Sequence, residues 1–239
     1  MWDRLVARTN STYRDGAMSS IDRRAALQAE RAEALSARLE SLLPPLTGDE
    51  RAIDVGSGLG ALAFALAPRV REVVAVERDE GFVERLRSAA PPNVSAVLGD
   101  GEHLDLPSYS FDLAGTMRTL HHTPRPELIV AELVRVTRPG GTLLVVDQLA
   151  PADPLTAGEL NAFERARDPS TSRVLSDQDL RAMFDVNGLV LRRAEVVTES
   201  RDLDAYLDLV ECAGPVRESV RAMAPRDYEA IVGWYVLTR

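Results

Sequence analysis

Apolar residues follow two rhythms along this chain. Ile21, Ala25, Leu35, Leu39 and Leu42 recur at helical spacing among charged residues, which predicts a helix over residues 21–43. Pro44-Pro45 stops it. From residue 51 short apolar runs take over. Ala52-Ile53-Asp54-Val55, Val73 to Val76, Val94 to Leu98, Phe111 to Met117 and Thr142 to Leu149 read as strands. Residues 60–67, 79–90 and 127–137 between them read as helices, with Phe82, Val83 and Leu86 on one face of the second. Strands alternating with helices build βαβ units, so the expected class is α/β with a mostly parallel sheet.

Residues 150–175 are polar, contain proline and break the repeat, which predicts a cover over the sheet. Ser176 and Asp179 have capping-box spacing ahead of Leu180, Met183 and Phe184, and Asn187-Gly188 ends that helix. A sixth strand over residues 189–197, helical residues 203–223 and a closing strand over residues 230–238 follow. The expected organisation is an N-terminal lid and helix over residues 1–45, then a ligand-binding domain over 46–239 with cover segments at 150–175 and 200–225.

Charge narrows the partners. The net charge is −9, so the basic footprint that displaces counterions from nucleic acid is missing, and anionic membrane surfaces are disfavoured too. The single cysteine, Cys212, permits no intrachain disulfide and suits a reducing compartment. No signal-peptide pattern opens the sequence and no apolar run approaches the roughly 18–20 residues that span a bilayer. The expectation is a cytoplasmic protein with a small-molecule substrate, no nucleic acid, no membrane span and no metal. The oligomeric state stays open, a homodimer included.

The chemistry-bearing segment is Asp54-Val55-Gly56-Ser57-Gly58-Leu59-Gly60, a glycine-rich turn between a strand and a helix. Such a turn lets backbone approach a ligand, and the helix behind it offers free N–H groups. Glu77 ends the second strand about twenty positions on, where an acid can accept both hydroxyls of a ribose. Asp100 ends the third strand, where it can accept from an adenine amino group. The ligand's charge separates two cofactors. A pyrophosphate disfavours a neighbouring carboxylate, whereas S-adenosylmethionine (SAM) carries a sulfonium and an ammonium that favour one. Asp54 stands two positions before Gly56, the first glycine of the turn, and the spacing is G-x-G-x-G rather than the G-x-G-x-x-G of dinucleotide sites. An NAD(P)-dependent oxidoreductase is thus the runner-up.

Four stretches carry a family resemblance: residues 53–60; Gly99-Asp100-Gly101-Glu102-His103-Leu104 with Leu106-Pro107 and Ser110-Phe111-Asp112; Arg118-Thr119-Leu120-His121-His122; and Arg138-Pro139-Gly140-Gly141 running to Asp147. Over roughly residues 50–150 the chain resembles the class I SAM-dependent methyltransferases, and more narrowly the type 11 group that includes the ubiquinone and menaquinone C-methyltransferases. The resemblance implies a Rossmann-like sheet in the order 3-2-1-4-5-7-6, strand 7 antiparallel, with helical lid elements. It implies SAM as cofactor and S-adenosylhomocysteine as product. Gly56 and Gly58 would line the methionine part, Glu77 hold the ribose, and Asp100 with Gly101 and Glu102 frame the adenine. Met117 and Arg118 would lie beside the methionine tail. Asp54, Ser57 and Arg78 complete the candidate cofactor residues. Arg167-Asp168-Pro169-Ser170 resembles a motif of a bacterial subset in which a histidine follows the serine; here Thr171 follows instead.

Methyl transfer is an in-line displacement at carbon, so positioning dominates, and a base matters where the acceptor loses a proton. His121 and His122 follow the fourth strand at the ligand edge. They are the candidate catalytic residues, with His122 nominated over His121. Arg118 and Arg167 are candidates for gripping an anionic acceptor or the SAM carboxylate, and Tyr13, a substrate-binding candidate, for a lid closing over the cofactor. A SAM-binding protein of this fold with non-methylating chemistry is the third reading.

Overall fold

The computed structural model describes residues 19–224 and 228–239. The expectations for residues 1–18, Tyr13 among them, lie outside the described residues.

Helix α1, Ser20–Leu42, starts where the Ser19 side chain accepts from the Asp22 N–H, and it buries Leu39 and Leu42 at its far end. The alternation then runs β1 (Arg51–Val55), α2 (Ala61–Leu66), β2 (Glu72–Glu77), α3 (Glu80–Ala89), β3 (Val94–Leu98), β4 (Phe111–Met117), α4 (Pro126–Val136) and β5 (Thr137–Ala150). After it come α5 (Pro154–Arg167), β6 (Leu175–Ser176), α6 (Asp177–Val186), β7 (Val190–Ser200), α7 (Leu203–Asp208), α8 (Gly214–Met223) and β8 (Glu229–Thr238). The Ser176–Asp179 capping box is present as the sequence predicts.

The sheet order is β3-β2-β1-β4-β5-β8-β7, with the two-residue β6 beside the end of β5. Setting β6 aside, this is the expected 3-2-1-4-5-7-6 order. β8 runs antiparallel to both neighbours, while β1 to β5 pair parallel. Successive residues point to opposite faces, and both faces are covered. Leu143 and Val145 join Ile129, Leu133 and Phe184 on one side; Leu144 and Val146 join Leu39, Leu66 and Leu86 on the other. Each such fully buried side chain stabilises the fold by about 1.5–3 kcal/mol.

Three boundaries differ from the sequence reading. β5 begins at Thr137, not Thr142: Thr137 pairs with Phe111 and Thr142 with Leu113, so Arg138 to Gly141 form a bulge inside the strand. The polar cover at 150–175 contains the 14-residue helix α5. The helical stretch 203–223 is two helices, separated at buried Cys212 and at Gly214, whose φ is 60°. Phe163, Leu207, Val220 and Tyr228 form a separate apolar cluster that joins α5, α7 and α8 into a cap. Among the described residues, no helix is long and apolar enough to cross a membrane.

Candidate active site

The carboxyl ends of β1 to β5 form the edge where open α/β sheets take ligands. The turn after β1 is built on glycine. Gly56, Gly58 and Gly60 have φ of 72°, 53° and 87°. A Cβ on Gly56 would stand 2.1 Å from Thr119 Cγ2, so this position admits no side chain. The turn closes onto β2. Gly56 and Ser57 donate N–H bonds to Val76 O at 2.9 and 3.0 Å, and Gly58 donates to Glu77 Oε2 at 2.8 Å. Glu77 Oε1 accepts from the Arg78 and Asp79 N–H groups at 2.8 and 3.0 Å, which fixes the carboxylate at the strand end. The Arg78 side chain itself is exposed. Asp100 lies exposed after β3, bridged to His103, and accepts the Glu102 N–H at 2.9 Å. A Cβ on Gly101 would stand 2.7 Å from Val55 Cγ1, so this loop packs directly on β1. Glu102 accepts from the Thr123 hydroxyl and from Arg125.

Asp54 is 1 % exposed. Its Oδ2 accepts the Ala63 N–H at 3.1 Å, while its Oδ1 has no partner, nor does the buried Ser57 hydroxyl. Burial, with neighbouring Glu77 adding to it, pushes the Asp54 carboxyl up to about 7. An unpartnered buried acid beside a glycine-rich turn fits a ligand that brings positive charge, as SAM does.

β4 leads into the second part of this edge. Arg118 leaves the strand with φ of 57°, a left-handed backbone unusual for a residue with a side chain. Thr119 then donates to Gly56 O at 3.0 Å, tying this exit to the glycine turn. Leu120–His122 form a 3-10 turn that sets the two imidazoles side by side, ring centroids 4.1 Å apart. His121 is buried, its Nδ1 2.5 Å from Asp147 Oδ1. Asp147 is buried as well; burial raises its carboxyl, but His121 and the Gln148 N–H outweigh it and hold it below the usual range. His122 Nδ1 lies 3.0 Å from Ser170 Oγ, which bonds Asp168 at 2.6 Å. Burial, and then the neighbouring His121, push the His122 imidazole down to about 4. That leaves His122 neutral near pH 7.

The two candidate arginines are brought to this side but are already paired. Arg118 meets both oxygens of Glu199 at 2.7 and 2.8 Å. Arg167 is buried, donates to Glu164 at 3.0 Å and stacks over the Tyr206 ring at 3.8 Å. Around them lies a network the sequence reading did not find. Buried Glu164 also accepts from Gln148 at 2.8 Å and from the Tyr228 hydroxyl. Arg201 donates to Gln148 at 3.1 Å and lies over Tyr206 at 4.7 Å. Burial alone would raise Glu164 and Glu199, yet Arg167 and Arg118 respectively hold them low. α1 closes over the edge: Gln28 donates to Leu59 O at 3.2 Å and Arg24 to Leu209 O at 3.1 Å. One signal was available in the sequence. Asp147 interrupts the apolar run of β5, and an acid inside a buried strand requires a partner.

Comparison with known proteins agrees with this layout. Residues 53–145 match a family model described as a methyltransferase domain. The YcgJ protein of Bacillus subtilis, an uncharacterized methyltransferase, is 35 % identical over 145 residues, covering 59 % of this chain and 57 % of that protein. The chain spans about half the length of the first curated relatives it matches, 57 % and 54 % for two of them. A malonyl-[acyl-carrier protein] O-methyltransferase of Methylococcus capsulatus is 34 % identical over 198 residues, covering 78 % of this chain and 68 % of that one. Among solved structures, YcgJ superposes with a TM-score of 0.75 at 23 % identity, over 86 % of this chain and 96 % of that chain. The [4+2]-cyclase SpnF superposes with a TM-score of 0.68 at 18 % identity, over 95 % and 84 %, a likeness of fold alone. The glycine turn, the strand-end acids, the strand order and these relatives together make the chain a member of the class I SAM-dependent methyltransferases, type 11 group.

Proposed function

We propose that this protein transfers a methyl group from SAM to a small-molecule acceptor. The observation that carries the reading is the glycine-rich turn Gly56-Ser57-Gly58, where Gly56 admits no Cβ, closed onto the fixed carboxylate of Glu77. Gly56, Ser57 and Gly58 would hold the methionine part and Glu77 the ribose. Asp100 with Gly101 would frame the adenine, and Asp54 would balance the positive charge. Bound there, SAM supplies an electrophilic methyl group and leaves as S-adenosylhomocysteine. The chain's own part is to orient the acceptor and take its proton. We assign the base to His121, because Asp147 orients its ring and stabilises the imidazolium that forms. Arg118 and Arg167 act by holding the acceptor wall in shape through Glu199 and Glu164.

Small-molecule acceptors are supported by the net charge of −9 and by relatives such as a 27-O-demethylrifamycin SV methyltransferase of Amycolatopsis mediterranei, 32 % identical over 174 residues. A reducing compartment such as the cytoplasm suits the free, buried Cys212. Calorimetry tests the cofactor half: Glu77→Ala should weaken SAM binding at least roughly tenfold with the fold intact, since each charge-assisted bond contributes about 1.5–3 kcal/mol. Unchanged affinity overturns the assignment. The second reading is a non-methylating reaction, since the fold alone does not fix the chemistry and the [4+2]-cyclase SpnF shares it. Formation of S-adenosylhomocysteine during turnover separates the two.

A further inference from the structure

Hydrogen-bond accounting fixes the tautomer of each histidine. Asp147 takes three bonds: His121 Nδ1 at 2.5 Å, the His121 N–H at 3.2 Å and the Gln148 N–H at 2.7 Å. An ionised carboxylate accepts only, so His121 carries its proton on Nδ1. His122 reaches the same state by another route. Its Nδ1 faces Ser170 Oγ at 3.0 Å. The Ser170 hydroxyl owns one hydrogen, and Asp168 Oδ1 receives it at 2.6 Å together with the Ser170 N–H at 3.0 Å. With its hydrogen committed, Ser170 Oγ can only accept, so His122 Nδ1 is a donor too. Each ring therefore presents a bare Nε2 lone pair, without a hydrogen-bond partner among the described residues.

Two imidazoles side by side, each with Nε2 left as an acceptor, select for chemistry. The rings stand 4.1 Å apart in the turn that Thr119 ties to Gly56. Among the described residues no third metal-ligating side chain joins them. A carboxylate or phosphate brings more lone pairs and is repelled. A single hydroxyl satisfies one nitrogen and leaves the other desolvated and unpaired. Two hydroxyls on adjacent carbons satisfy both.

Resting on the methyl-acceptor reading above, we propose that His121 and His122 form a paired Nε2 acceptor for a vicinal diol or catechol. Asp168 and Ser170 are positioning residues that hold His122 in the required tautomer. The roles of the two rings divide. His121, backed directly by a carboxylate, takes the proton of the hydroxyl to be methylated. His122, backed through a neutral hydroxyl, holds the neighbouring hydroxyl in register.

The test is nitrogen-15 NMR on histidine-labelled protein. Both rings should show protonated Nδ1 and bare Nε2 in the free protein. Ser170→Ala should shift only His122 toward the Nε2-protonated form, and Ser170→Thr should restore it. Predominant Nε2–H on His122 in the unsubstituted protein overturns the proposal. Titration of the S-adenosylhomocysteine-loaded protein with catechol should move both Nε2 signals and bind at least about tenfold more tightly than phenol, because a site built to pair with a hydroxyl rejects the analogue lacking it. Equal affinities overturn it as well. If S-adenosylhomocysteine does not bind, the methyltransferase reading fails, and the same two measurements on the free protein still decide this inference.

Discussion

The two halves of the sheet's ligand edge are made of different material. On the proposed cofactor half, Gly56, Ser57, Gly58 and Glu77 are joined mainly by main-chain bonds across adjacent parallel strands. On the proposed acceptor half, Asp147, Glu164, Asp168, Arg201 and Tyr228 are bonded through side chains brought from four segments of the chain. A backbone cradle tolerates almost no substitution inside it and recurs as a compact motif. A side-chain wall can be rebuilt one residue at a time without disturbing the sheet beneath. Within one fold, this separates a shared cofactor from variable acceptors.

The largest effect should come from breaking the cradle. Gly56→Ala forces a Cβ into Thr119 at a φ of 72°, a strain of about 1–3 kcal/mol before the clash is counted. SAM affinity by calorimetry should fall roughly a hundredfold or more. Adding Thr119→Ala, which removes the two nearest clashing atoms, should return part of it. A fully unaffected single variant would mean that the turn does not touch the ligand.

On the acceptor half, Asp147→Asn should lower kcat by roughly 10²–10⁴-fold with SAM affinity held within about twofold. His121 then loses its counter-charge while the cradle is untouched. Equal losses of kcat and cofactor affinity would dissolve the division between the halves. Glu164→Ala strands the buried Arg167 guanidinium and should cost roughly 3–5 kcal/mol of stability, read by urea unfolding, with the cofactor half still binding SAM. The conservative Glu164→Gln should cost less.

The smallest effect is one of pH, and the halves oppose each other. Asp54 is raised to about 7 in the folded state, so its stabilising protonated form is lost as pH rises from about 4 through 7. His122 is lowered to about 4, so its contribution is lost as pH falls from about 6.5 through 4. In the native protein the two slopes offset. Asp54→Asn should leave stability falling on acidification, and His122→Asn should leave it falling as pH rises, each by on the order of 1–3 kcal/mol. Two variants with parallel pH profiles would show that one of these groups is not held as described.

The sheet was legible because its strands are short apolar runs between glycine and proline, and the strand-end acids because they close those runs. α5 was not, because its pattern is inverted. Its buried positions are Asn161, Phe163, Glu164 and Arg167, so polar residues face inward and the usual helical signal vanishes. The same inversion hid the Glu164 network. The His121–Asp147 pair spans 26 residues of chain and two strands, a distance that no local window bridges. The 3-10 turn sets the balance between the histidines, and spacing alone could not weigh one against the other.

The antiparallel strand has a consequence for how the chain reaches this state. β8 follows β7 in sequence yet lies between it and β5. Until β8 arrives, β7 has no strand to pair with, and β5 presents Leu143 to Leu149 as an open apolar edge. The sheet therefore cannot zip outward in chain order. It must wait with a gap and then accept its last strand into the middle, a long-range closure of the kind that slows folding. In that interval the unpaired β5 edge is the chain's main aggregation hazard, and agents that shorten the wait should raise the yield of folded protein more than agents that strengthen any single contact.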